Sequence, residues 1–323
     1  MGAPLKRLAG LLIALSALVA PGAWGQGFPN KPLRIVVPFT PGGGNDVFAR
    51  TLGQKMHERF GQPVVVENKP GAGGNIGAEF VARSSPDGYT LLLAQNGLTM
   101  LPWLSKTLPF DVMKDFVPVG IGATLPMVVV VANKLPVKSI NDLIIYAREN
   151  PGKLSYATPG IGAPHHLATE WFMEMTGTKM VLVPYKGASG MLADLISGEV
   201  HVMFGALNSA LPLIQSGKIR AIALAERQRI PLFKDVPTVN ESLPEYEVNF
   251  WFGLLAPAGT PDAIVNKLSD EMRAIVAMPD VRERLAGVGF DSNPTSAAEM
   301  RRIMTAEFDK WGKVVKAAGI QPQ

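Results

Sequence analysis

Two glycine-rich loops carry the clearest chemical signal in this chain. In RIVVPFTPGGGNDVFAR, from Arg34 to Arg50, an apolar β-branched run ends at Pro38, Pro41 is followed by Gly42, Gly43 and Gly44, and a helix-forming pattern starts at once. Asn45 or Asp46 can cap that helix. The backbone N–H groups at its start have no partner within the helix, and the positive end of the helix dipole stands behind them. Glycine lets such a backbone come close to a ligand because no Cβ intervenes. A nest of this kind suits an anion; a plain turn between strand and helix is the competing reading. TPGIGAPHHLATE, from Thr158 to Glu170, repeats the device, with Gly160 and Gly162 in the loop and Pro164 near the first helical position. Two such loops at strand ends would face each other if two α/β domains stack across a cleft. Other strand ends supply short polar groups: Gln95 and Asn96, the stretch Lys186 to Ser189 with Gly187 and Ala188, and Asn208.

A nucleotide is a poor fit to these loops. Gly44 is followed by Asn45 and Asp46, where a P-loop needs lysine and then serine or threonine, and Val47 stands where a dinucleotide fingerprint needs its third glycine. GAGGNIGA, from Gly71 to Ala78, fails the same spacing at Ile76, and Asp46 would repel a polyphosphate. A small carboxylate suits them better. Catalysis finds little support in a chain without cysteine. Ser189 does not sit in a nucleophile elbow, because Met191 replaces the closing glycine. His165 and His166 point to different helix faces. His166 and Glu170 share a face, but two ligands do not make a metal site, and a solvated surface pair is expected. Neither a metal nor a cofactor is expected.

The elements that must hold these loops alternate along the chain. Strands are predicted at 33–38, 64–67, 90–94, 127–132, 154–157, 180–184, 200–204, 219–223 and 250–256, with helices at 46–59, 78–83, 140–149, 164–175, 191–197 and 209–215. This is α/β order, and it predicts parallel sheets with helices on both faces. After Pro257 the pattern is helical only, at 262–277, 280–287 and 296–318. Helices that end a chain need a sheet built earlier to pack on. The economical division is discontinuous: residues 27–123 with 252–323 as the first domain and 124–251 inserted as the second, with two crossing segments forming a hinge above a cleft.

The N-terminal segment sets the compartment. Lys6 and Arg7 precede an apolar run from Leu8 to Ala20, then Pro21 and Ala23-Trp24-Gly25, the pattern of a secretory signal peptide over residues 1–25 cut before Gln26. The run falls short of the roughly 20 residues that span a bilayer. Loss of Lys6 and Arg7 lowers the formal charge of +4 by two, to +2, so nucleic acid is not an expected partner. Without disulfides, an exported chain of this length depends on its core.

The stretches RIVVPFTPGGGNDVFAR, VVVENKPGAGGNIGAEFVARSSPDGYTLLLA, YATPGIGAPHHLA, VPYKGASGMLADLISGEVHVMF and FWFGLLAPAGTP follow one another over the mature chain. Together they resemble the Bug family, the periplasmic receptors of tripartite tricarboxylate transporters. The resemblance implies a periplasmic-binding-protein fold, type II-like, with two α/β domains, a hinge and a central cleft. It also implies a monomer whose cleft takes a small carboxylic acid, held by loop amides and bridging waters and passed to a membrane permease made of two other polypeptides. Carried onto this chain, the first loop gives Phe39, Thr40, Pro41, Gly42, Gly43, Asn45 and Asp46. The second gives Thr158, Gly160, His165 and His166, and the strand-end position is Asn96. Gly187, Ala188 and Asn208 complete the candidate set. Gly205-Ala206 departs from an Asp-Asn pair common in the family, and His165 from a serine. A ligand sensor docking on a signalling protein, and a secreted hydrolase or isomerase, are the alternative functions; the second lacks an activated nucleophile, a metal set and an acid–base pair.

Overall fold

The computed structural model describes residues 27–42, 44–161, 163–185, 188–230, 233–248 and 250–322, with the backbone alone for Ala188 and Ser189. The expected signal peptide and its cleavage point, and Gly43, Gly162, Lys186 and Gly187, lie outside the described residues.

β1 (Leu33–Val37) is an LRIVV run whose β-branched side chains suit a strand covered on both faces, and it leads to α1 (Gly44–Phe60). β2 (Val64–Asn68), α2 (Asn75–Ala82), β3 (Thr90–Gln95), α3 (Gly97–Leu104) and β4 (Phe116–Leu125) follow. Next come β5 (Met127–Ala132), α4 (Ile140–Glu149), β6 (Ser155–Thr158), α5 (Pro164–Thr176) and β7 (Val181–Pro184). α6 (Ala188–Ser197), β8 (Val202–Ala206), α7 (Leu207–Gln215) and β9 (Ile219–Leu224) complete that run, before β10 (Phe250–Pro257), α8 (Asp262–Val276), α9 (Pro279–Ala286) and α10 (Ala297–Ala317).

The strands form two five-stranded sheets, ordered β2-β1-β3-β10-β4 and β7-β6-β8-β5-β9. Both are mixed, which corrects the expectation of parallel sheets: β10 is antiparallel to β3 and β4, and β5 to β8 and β9. The reason is the crossing. β4 finishes at the cleft end of the first sheet, so β5 starts at the cleft end of the second, where its neighbour β8 finishes; β10 re-enters the first sheet in the same way.

Two elements escape the sequence pattern. β4 contains Pro118, Gly120 and Gly122, which break any strand signal, yet its glycines admit Thr295 and Phe48 against the strand, and Gly253 of β10 lets the two strands lie side by side. A Cβ on Gly253 would lie 2.5 Å from the Gly120 carbonyl oxygen, and one on Gly120 would lie 2.6 Å from that of Thr295. The β4–β10 ladder shifts register between Phe252 and Gly253 and again between Leu254 and Leu255, as bulged strands do. α3 was hidden by Pro102 within its eight residues.

The core gathers against both sheets. Phe48, Phe252 and Phe290 cluster behind the first glycine loop, the last two rings 4.8 Å apart and edge to face. On the side of α10, Trp171 stacks on Tyr246 at 4.8 Å and meets Trp311 edge-on at 6.1 Å, tying α5 to α10.

Candidate functional site

A cavity of about 640 Å³ opens between the two sheets. One wall comes from the end of β1 at Phe39, the loop Ala72–Asn75, the end of β3 at Gln95, and α3; the other comes from Pro159, Gly160, Ile161, Ala163 and Pro164. Three helices begin on it without a capping side chain. α2 starts after Gly74, α3 after Asn96 and α5 after Ala163, and none of these residues donates or accepts a side-chain cap. Away from the cavity, α4 and α10 are capped by Ser139 and Ser296, while α7, α8 and α9 also start without a capping side chain. Three helix starts and three positive dipole ends thus converge on one space, with some of their first N–H groups unpaired, while that of Asn75 donates to the Ala72 carbonyl and that of Thr99 to Asn96. No charged side chain lines it among the described residues.

The first glycine loop is braced from behind. The buried Asp46 carboxylate accepts from the Gly42 N–H at 3.1 Å, from Arg50 Nε at 2.9 Å and from Asn68 Nδ2 at 3.0 Å, while Asn68 also donates to the Phe39 carbonyl at 3.1 Å. The Arg50 hydrogen bond holds the Asp46 carboxyl below the ordinary carboxylate range against the opposing effect of burial, with the Gly42 and Asn68 bonds adding to it. Asp46 therefore organises the loop with its charge already matched. Gly42 sits at φ +88°, a conformation glycine adopts without strain. Gly44 is needed for packing: a Cβ there would lie 3.2 Å from Cζ of Phe290. Asn45 donates through Nδ2 to Gln95 Oε1 at 3.4 Å, and its own Oδ1 is buried without a partner.

Of the residues expected from sequence, Phe39 and Gly160 line the cavity. Thr40, Pro41 and Gly42 are exposed beside it. Thr158 is fully buried and stands behind the second loop, donating through Oγ1 to the Gly160 carbonyl at 3.0 Å. Asn96 is also buried, and its carbonyl accepts from the N–H and the hydroxyl of Thr99 at the start of α3. Asn208 lies in the first turn of α7 against Gly289, where an added Cβ would fall 2.9 Å from its own. Ala188 opens α6 with its side chain outside the described residues, as are Gly43 and Gly187.

The two histidines separate. His165 packs its ring 5.2 Å from that of Phe250; the residue is partly exposed, but Nδ1 is buried without a partner. Desolvation lowers its pKa to about 4, so it is neutral near pH 7. His166 is buried among core groups, stacked on Tyr156 and 3.5 Å from Glu170, which also accepts from the Tyr156 hydroxyl at 2.6 Å. This corrects the expectation of a solvated His166–Glu170 surface pair. The pair belongs to the interior of its own half. Among the described residues no cluster of three or more His, Cys, Asp or Glu could hold a metal, and no helix is long and apolar enough to cross a membrane.

Sequence reasoning passed over the Ala72–Asn75 loop as a site. Its signal was a repeated tripeptide: Gly73-Gly74-Asn75 matches Gly43-Gly44-Asn45, each ahead of a helix. Ala72, Gly73 and Gly74 all have positive φ, at 48°, 67° and 104°, which turns the chain sharply into the cavity wall. Asn75, like Asn45, has a buried Oδ1 with no partner.

Two α/β domains flanking such a cleft define the class of the solute-binding proteins of periplasmic-binding fold. Within that class the chain belongs to the family described as tripartite tricarboxylate transporter family receptor (TctC), which matches residues 48–320. BugT of Bordetella pertussis is 34% identical over 317 residues, 96% of each chain. An R. palustris protein solved with adipate is 38% identical with a TM-score of 0.78, covering 92% of this chain and 100% of that one. MatC of Rhodopseudomonas palustris, solved with bound malate, is 31% identical with a TM-score of 0.74, covering 89% of this chain and 100% of the other.

Proposed function

We propose that this protein is an exported, monomeric receptor that captures a small carboxylic acid between its domains and delivers it to a two-component membrane permease. The observation that carries this reading is the convergence of three uncapped helix N-termini on one cavity lined by residues of both halves. Backbone donors at fixed positions suit a carboxylate and cost little reorganisation when it arrives. The relatives solved with adipate and malate support the ligand class, and family membership supports the transport role. Strand membership supports domain limits near 27–123 with 252–323 and 124–251.

Each half supplies part of the wall, so the ligand gains its full contacts only when the halves close on it. The test is mass spectrometry of what co-purifies with the protein beginning at Gln26, followed by titration calorimetry and small-angle scattering with that compound. A carboxylic acid bound with a decreased radius of gyration is the expected result. Consumption of the acid, or binding with no change in scattering, would count against a closing receptor.

A further inference from the structure

The cavity is unevenly built, and its larger part has no use for a charge. Away from the glycine loops it runs between α2 and α3 over the face of the first sheet. Leu98, Leu101 and Leu104 succeed one another at three-residue spacing along α3, and Leu92, Ala94 and Ala78 form the floor and the far side. The polar side chains on the lining are Asn75, Gln95 and Ser105, the first two beside the loops and the last at the end of α3. At about 640 Å³ the space lies inside the range of roughly 300–1,000 Å³ typical of sites for larger organic ligands. A four-carbon diacid would occupy a fraction of it.

We infer that the ligand of this receptor is a monocarboxylic acid with an apolar alkyl or aryl body, its carboxylate at the three helix N-termini and its body along the leucines of α3. This rests on the receptor reading and specifies the ligand class within it. A second carboxylate on such a body would lie against leucine side chains with no cation among the described lining residues, and burying it there is unfavourable. Each buried methylene instead strengthens binding by about fourfold.

The test is calorimetry of the wild-type protein against two matched series: butanoate, hexanoate and 3-phenylpropanoate, and succinate, malate and adipate. Affinity is expected to rise about fourfold per methylene in the first series, with hexanoate binding at least tenfold tighter than adipate. Leu101 is half-buried and can be replaced without emptying the core, so Leu101→Gln is expected to weaken hexanoate about tenfold. If succinate, malate or adipate binds tightly with no gain along the first series, the inference is wrong while the receptor reading stands. Equal hexanoate affinity in Leu101→Gln and wild type would also overturn it. Failure of both series to bind would remove the receptor reading together with the inference.

Discussion

The carboxylate of Glu307 on α10 accepts a hydrogen bond of 2.8 Å from the indole Nε1 of Trp251 on β10. The Thr99 hydroxyl, which donates to the Asn96 carbonyl, lies 3.2 Å from the same oxygen, so one half-buried group links the crossing strand to the start of α3 at the cavity. One turn further on, Lys310 Nζ donates to the Glu247 carbonyl at 3.1 Å and lies over the rings of Trp171 and Trp311, at 4.7 and 4.5 Å from their centroids. Burial pushes the Glu307 carboxyl up and the Lys310 ammonium down, the Coulombic attraction between them opposing both shifts.

Glu307→Leu is expected to cost about 1–3 kcal/mol, because it leaves the buried Trp251 N–H without an acceptor. Glu307→Gln keeps an acceptor in place and should stay within about 1 kcal/mol of wild type. Urea denaturation at pH 7 measures both. Equal losses in the two variants would mean that the charge, and not the acceptor, is what matters.

His165 should make the fold sensitive to mild acid. The folded group has a pKa of about 4, while in the unfolded chain it is about 6.5. Between those values the unfolded state takes up a proton that the folded state refuses, so stability falls as pH drops from about 6.5 to about 4. Partial exposure of the residue limits the effect to about 1–3 kcal/mol. Glu307, raised by burial, tilts the opposite way, since the stability it contributes is full below the unfolded carboxylate value and is lost as pH rises through its folded one. The His165 contribution is therefore read as the difference in Tm-versus-pH slope between wild type and His165→Gln, which should be flatter.

Asp46→Ala removes the brace of the first loop. The Gly42 N–H, Asn68 Nδ2 and half-exposed Arg50 all lose their acceptor, and a loss of about 1–3 kcal/mol is expected with a lower ligand affinity. Because the folded carboxyl is held below its ordinary value, its contribution is present above the unfolded pKa of about 4 and is lost as pH falls through the folded one, a window below that of His165. Acid titration of Asp46→Ala should lack this lower step. Wild-type ligand affinity in the variant would show that the loop keeps its shape unaided.

Gly160→Ala tests the second loop. A Cβ at this position meets no protein atom within 4 Å and points into open space at the cavity wall, while φ of +155° makes any side chain strained. Thermal stability should fall by about 1 kcal/mol, and ligand affinity by at least tenfold as the methyl takes up space. Calorimetry and a melting curve on one sample separate the two effects.

The order of strands and helices, the two glycine loops and the helical C-terminal segment were legible because each depends on local pattern: β-branched runs, glycine next to a helix start, apolar periodicity. Strand direction at the crossing was not, since whether β5 or β10 runs with or against its neighbours is decided by where the chain enters the sheet. β4 was hidden because Gly120 and Gly122 serve contacts made from residues far along the chain, at Thr295 and Phe48. The same division holds at the site. The sequence by itself determined that Asp46 follows a glycine run and that His165 and His166 begin a helix. Only the tertiary structure decided that the Asp46 charge is spent on Arg50, that His166 turns inward to Tyr156, and that the Ala72–Asn75 loop joins Gly160 at one cavity. Spacing along the chain fixes which groups leave a helix start unpaired; which of those starts share a space depends on how two sheets built from distant segments are set against each other.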